Sequence, residues 1–302
     1  MTHASIITLE NDDWQAGILP GTGASLAYAR AKHNGGWVDV LRPTAEADYR
    51  NPSQCSSFVM LPWCNRIRDG VLRFNGKAHQ LRTSPEDGTA RHGDVRGRAF
   101  QVTERSGTAA TLTIDSRTQP TMNWPFPFVA EITYRLDGDS FVWEIRLTNV
   151  GTEAMPAGFG HHPYFVRPTT SPMLQIPSES MFELIDSMAI NAPIPIAPRL
   201  DFRNRRTLPV EKIDDILTHS DSSLPVRISY AGGIALEFYS DALFEHWVLY
   251  APENMPYFAV EPMTNVSDGF NLYEKSVPGS GVFVLEPGET VGASVHLDIA
   301  RG

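Results

Sequence analysis

The chain reads as an all-β protein, a large antiparallel sandwich or barrel. Several runs alternate apolar and polar residues with a period of two, as half-buried strands do. Glycine and proline, 23 of each in 302 residues, punctuate these runs, and a helical period is hard to find. A parallel α/β fold would need helices between its strands, and neither GxGxxG nor the phosphate-cradling GxxxxGK[ST] occurs.

The strand signals run in order along the chain. Trp124, Phe126 and Phe128 alternate with Pro125 and Pro127, so an extended segment puts three aromatics on one face. Such rings are usually core, but they also stack on the flat apolar faces of small ligands, so Trp124 is kept as a weak binding candidate. A strand follows over 128–135. In 141–148 the odd positions are apolar while Glu144, Arg146 and Thr148 can face water. Further strands are expected at 225–230, 234–239, 246–250 and 291–299. The Pro- and Arg-rich stretch 191–208 reads as a long loop over one sandwich rather than a domain boundary, a position from which loops often frame binding sites. Residues 266–271 read as a loop, with Asp268 and Gly269 favouring a turn.

Composition narrows the partners. With 25 Lys and Arg against 35 Asp and Glu, the net charge of −10 argues against nucleic acid or anionic lipid and favours a small neutral partner. Cys55 and Cys64 are too few for a disulfide framework and have no zinc-site spacing, so both are expected reduced. The first residues lack the pattern of a signal peptide and no apolar run is long enough to span a membrane, which points to the cytoplasm. Oligomeric state is not legible.

Two segments carry chemistry. Gly158-Phe159-Gly160-His161-His162-Pro163-Tyr164-Phe165 places an imidazole in a glycine-flanked aromatic strand, and Tyr257-Phe258-Ala259-Val260-Glu261-Pro262-Met263-Thr264 places a carboxylate in a similar setting. A histidine exchanges protons near neutral pH, and a desolvated carboxylate can act as a general base. Adjacent residues of a strand face opposite ways, so only one of His161 and His162, and one of Asp214 and Asp215, should reach a given site. Taken alone, each of these residues is more often packed or ion-paired than catalytic.

Asn65-Arg66-Ile67 with Gly70 and Phe74-Asn75-Gly76-Lys77, then His92-Gly93, His162-Pro163-Tyr164-Phe165, Ile213-Asp214-Asp215 and Val260-Glu261-Pro262, resemble the ordered signatures of the aldose 1-epimerases, the galactose mutarotase-like family. The resemblance runs from about Ile18 to the segment Leu285-Glu286-Pro287-Gly288-Glu289. It implies one domain over residues 1–302 with a large antiparallel β-supersandwich fold. It further implies interconversion of the α and β anomers of a neutral aldose with no cofactor and no metal. Glu261 would take the anomeric hydroxyl proton and His162 would protonate the ring oxygen; Arg66, His92 and Asp214 would bind the sugar. Two other readings stand beside it. One is a hexose-6-phosphate 1-epimerase, with Arg66, Arg91, Arg96 and Arg98 available to grip phosphate; the other is a non-catalytic sugar-binding protein. A metal-dependent sugar enzyme is disfavoured, because His92, His162 and Glu261 show no local ligand spacing.

Overall fold

The computed structural model describes residues 5–300, so residues 1–4, part of the segment in which no leader is expected, lie outside the described residues. Two antiparallel sheets, of eleven and nine strands, face each other. The nine-stranded sheet grows from the alternating runs. Phe128–Asp137, whose burial alternates along its length, pairs with Ala109–Asp115 on one side and Ser140–Asn149 on the other, and Thr290–Ile299 follows. Val226–Ser229 and Ala235–Ser240 extend it, so these expected strands form within a residue or two of their predicted bounds.

The core lies between the sheets. Trp143 packs edge-on to Phe238 at 5.6 Å, and Phe238 meets Trp247 of the opposite sheet at 5.3 Å. Each buried ring contributes roughly 1.5–3 kcal/mol by transfer from water.

The eleven-stranded sheet carries, in spatial order, Ser57–Met60, Gly160–Val166, Tyr257–Met263, His246–Ala251 and Ile213–Ser220. Its inner face packs into the sandwich. Its outer face carries a second apolar cluster that includes Phe58, Met60, Ile216, Val248, Ala259 and Met263. This sheet is therefore buried on both sides, which is why Gly160–Val166 and Tyr257–Met263 are almost continuously buried instead of alternating.

Three expectations are corrected. Trp124 is core: it stacks on Trp63 at 5.3 Å and meets Phe270 edge-on at 5.4 Å, filling the space under the short helix rather than facing a ligand. Residues 266–271 run into a helix, Gly269–Glu274, the one α-helix among the described residues. Asp268 starts it in the left-handed region (φ 60°), where its carboxylate accepts from Asn271 Nδ2 and the Arg68 amide while its own amide donates to the Arg66 carbonyl. The 191–208 stretch frames no cavity with the acid–base residues; it holds two short strands, Ile194–Pro195 and Arg206–Thr207, and pins itself down by burying Leu200 and Phe202. Cys55 and Cys64 are free and buried. Among the described residues no helix is long and apolar enough to cross a membrane.

His161 points inward, its ring 5.3 Å from Trp143, with neither ring nitrogen given a hydrogen-bond partner by the protein. Burial brings its pKa down to about 3, and that of His246, also buried, to about 3. The folded state keeps these imidazoles neutral, while the unfolded chain protonates them near pH 6.5. Between about pH 6.5 and 3 the unfolded state therefore binds more protons. The contribution of these residues is fully present above that window and is lost as pH falls through it. We expect the denaturation midpoint to decline on acidification from pH 7, and His161→Phe to make that decline shallower by about one proton. An unchanged pH slope in the folded variant would remove His161 as a source.

Candidate active site

The outer face of the eleven-stranded sheet is the floor of a cavity of about 290 Å³, at the small end of small-molecule sites. Strand register writes the floor as two rows. Phe58 lies opposite His162, and Glu261 opposite Val248. The histidine and glutamate strands pair Gly160 with Met263 and Tyr164 with Ala259, which sets His162 facing Glu261. In the second row Tyr164 faces Ala259, Ala259 faces Tyr250, and Tyr250 faces Asp214. Close approach is possible because Gly160 has no side chain: a Cβ there would meet the Pro262 carbonyl at 2.5 Å.

The walls are loops. Arg66–Ile67 and Ala90–Arg91 pair as two short strands, Arg66 opposite Arg91, and the His92 amide donates to the Asn65 carbonyl. Asn65, His92 and Gly93 all have positive φ (53°, 58° and 70°), so the chain turns sharply on both sides and delivers Arg66 and His92 to the cavity. Asp268 holds the Arg66 segment from behind through its two backbone contacts.

The cavity thus gathers Arg66, His92, His162, Asp214 and Glu261, all five residues singled out in the sequence, and leaves out His161 and Asp215. Asp215 instead accepts two hydrogen bonds from Arg199, at 2.8 and 2.6 Å. Phe58, Tyr164 and Tyr250 also line it and were missed. Tyr164 was legible as the same-face neighbour two residues after His162; Phe58 and Tyr250 reach the site only through register.

At the centre His162 Nε2 lies 3.2 Å from Glu261 Oε1, both side chains buried. The ring is held between Phe58 and Tyr164, each at 4.5 Å. His162 Nδ1 and Glu261 Oε2 have no protein partner. Burial pushes the Glu261 carboxyl well above its ordinary range, with the Asp214 charge adding and Arg66 opposing. Burial likewise brings His162 down to about 3, reinforced by the charges of Arg42, Arg96 and Arg91. Both shifts disfavour charge, and at 3.2 Å the two groups titrate as a coupled pair. His92 is held neutral too, mainly by burial; its Nδ1 sits 3.1 Å from Met60 Sδ and its ring is edge-on to His162 at 5.4 Å. Burial raises Asp214 above the usual carboxylate value, opposed by Lys212, whose ammonium is 3.9 Å away. Such an arrangement can take a proton at one point and return one nearby, with hydrogen-bonding groups around it to orient a polyol.

The two aspartates separate by function. Asp214→Asn should lower kcat/KM for a substrate bound in the cavity by about tenfold or more, the scale of a lost charged hydrogen bond. Asp215→Asn should act on thermal stability instead, by releasing Arg199. Assays and melting curves on both variants check this, and the reverse order would move the binding role to Asp215.

The sequence model of the aldose 1-epimerase family matches residues 5–298. The protein YihR of Escherichia coli K12 is 28% identical over 242 residues, 76% of this chain and 75% of YihR. A galactose mutarotase-like protein from Clostridium acetobutylicum superposes with a TM-score of 0.87 at 16% identity, over 98% of this chain and 95% of that one. A galactose 1-epimerase from Lactobacillus acidophilus does so with a TM-score of 0.81 at 16% identity, over 98% and 94%. At these identities the structural matches speak to the fold, a galactose mutarotase-like β-sandwich.

Proposed function

The chain belongs to the aldose 1-epimerase family, and from that membership and the geometry of the cavity we propose that it interconverts the α and β anomers of an aldopyranose. The observation that carries this reading is the His162–Glu261 pair, 3.2 Å apart at the floor of a cavity flanked by Arg66, His92 and Asp214.

Ring opening needs the anomeric hydroxyl O1 to lose a proton and the ring oxygen O5 to gain one. Both oxygens are bonded to C1, so a base and an acid side by side can serve them together. With the proton of the pair on His162 and Glu261 ionised, Glu261 takes the O1 proton and His162 gives its proton to O5, so after ring opening the proton of the pair is on Glu261. The C1–O5 bond breaks, the aldehyde turns about C1–C2, and the roles reverse on closure from the other face. One proton leaves the sugar and one enters, so the pair ends with the single proton it started with. Arg66, His92 and Asp214 hold hydroxyls and keep the open chain in place for closure.

A one-proton pair has a distinctive pH profile. Activity falls at low pH when the pair takes a second proton, below the ordinary histidine range because His162 is depressed to about 3. It falls at high pH when the last proton leaves. We therefore expect kcat/KM to stay flat from about pH 7 down to about pH 4.5, with no inflection near 6.5. A clear inflection near 6.5 in kcat/KM would mean that His162 titrates as an independent group.

Polarimetry on freshly dissolved α-anomers tests the activity itself. Catalytic amounts of the protein should speed the approach to the final rotation without changing its value. No acceleration with any of a panel of neutral and anionic aldoses would defeat the reading.

A further inference from the structure

The charge around the cavity does not match a neutral ligand. In a chain of net charge −10, the lining holds four cations, Arg66, Arg91, Arg96 and Lys212, against two acids, Asp214 and Glu261. Three of the cations have acidic partners: Arg66 pairs with Asp87 at 3.1 Å, Arg91 with Glu86 at 2.6 Å, and Lys212 with Asp214 at 3.9 Å. Arg96 differs. Among the described residues no carboxylate lies within ion-pair distance of its guanidinium, which sits 5.5 Å over the Phe58 ring, half-buried. Burial and the neighbouring Arg91 charge both lower its pKa, so the site holds this cation at a cost that a bound anion would relieve.

Position says where on the sugar that anion belongs. Arg96 stands over Phe58, which packs on His162 at 4.5 Å from the strand that borders the His162 strand on the side away from Glu261, and Arg91 neighbours Arg96. The arginine cluster is therefore on the acid side of the pair. The acid serves O5, and O5 is bonded to C5, which bears C6. An exocyclic C6 group thus leaves the ring on the His162 side. Ser53, Arg91 and Arg96 also line an adjoining cavity of about 610 Å³, which gives such a substituent room.

We infer that the preferred substrate is an aldose carrying a negatively charged group at C6, gripped by Arg96 with Arg91 and Ser53, in place of the neutral aldose expected from the motifs. This rests on the acid and base roles proposed above. A phosphate, a sulfate or a carboxylate shares the required charge. Guanidinium groups bind all three, with bidentate geometry available to each.

The test compares kcat/KM for glucose, glucose 6-phosphate, glucose 6-sulfate, glucuronate and glucose 3-phosphate, each corrected for its own uncatalysed rate. The C6 anions should exceed glucose by about tenfold or more, and the advantage should shrink with added salt. The order among the three identifies the anion. Glucose 3-phosphate, with its charge on the wrong side, should gain nothing. Arg96→Gln should collapse the ratio of anionic to neutral kcat/KM, and Arg96→Lys, which restores the charge, should recover part of it. Equal or better use of glucose, or a C6 preference that survives Arg96→Gln, overturns the inference. Calorimetric binding of glucose 6-phosphate separates the two layers. Salt-sensitive binding lost in Arg96→Gln but without turnover keeps the anion subsite and discards the epimerase reading. Glucose turnover with no C6 preference and no such binding does the opposite.

Discussion

Glu261→Gln and His162→Asn will each lower the rate of mutarotation by about two orders of magnitude or more, the usual loss when a positioned proton-transfer group is removed. Glutamine keeps the size of Glu261 and removes an ionisable group from a buried place, so this variant should fold at least as stably as the parent. Asparagine is smaller than the imidazole and gives up the contacts with Phe58 and Tyr164, so some loss of stability is expected there; His162→Gln provides a bulkier control. Because the two side chains share one proton, the double variant should be little slower than the slower single one. Polarimetry with circular dichroism checks all four proteins. A folded single variant with near-normal rate would end the assignment of that residue, and multiplicative losses in the double variant would show that the two act separately.

Gly93→Ala should be the most damaging single methyl in the cavity wall. Gly93 sits at φ 70°, and a Cβ there would lie 2.1 Å from the Leu61 carbonyl oxygen and 2.5 Å from its amide nitrogen. Backbone cannot yield as a flexible side chain can, so strain and displacement together should cost roughly 3 kcal/mol or more. The displaced segment carries His92, whose amide hydrogen bond to the Asn65 carbonyl sets the wall, so kcat/KM should fall along with the melting temperature. Gly97→Ala is the control: nothing lies within 4 Å of its added Cβ, and stability should change by no more than about 0.5 kcal/mol. Similar melting temperatures for the two variants would mean that the loop adapts.

Period-two alternation made the strands of the nine-stranded sheet legible, because Phe128–Asp137 and Ser140–Asn149 have one wet face. It could not reveal which strands neighbour one another. Nor could it show the two-residue strands Arg66–Ile67 and Ala90–Arg91, which are too short to carry a period and exist because the loops fold onto each other. The helix Gly269–Glu274 was illegible for the same reason: it has six residues and is held through Asp268. Within the site, alternation allowed only one of His161 and His162 to face a cavity, and the family resemblance selected His162. Trp124 was ambiguous because an aromatic at strand spacing suits a core and a sugar equally; its stacking partner, Trp63, is distant in sequence.

The floor of the cavity has a consequence for how the protein is made. Phe58, His162, Glu261, Val248 and Asp214 stand on five neighbouring strands drawn from residues 57 to 263, in a spatial order that does not follow the chain. None of these strands holds the proposed acid and the proposed base together, and a nascent chain that ends before Glu261 lacks the proposed base altogether. On the proposed roles, catalysis switches on late, after pairings between distant segments have closed, and such pairings are slow to form. Recovery of polarimetric activity during refolding would then report completion of the central sheet, trailing the early appearance of β-structure by circular dichroism.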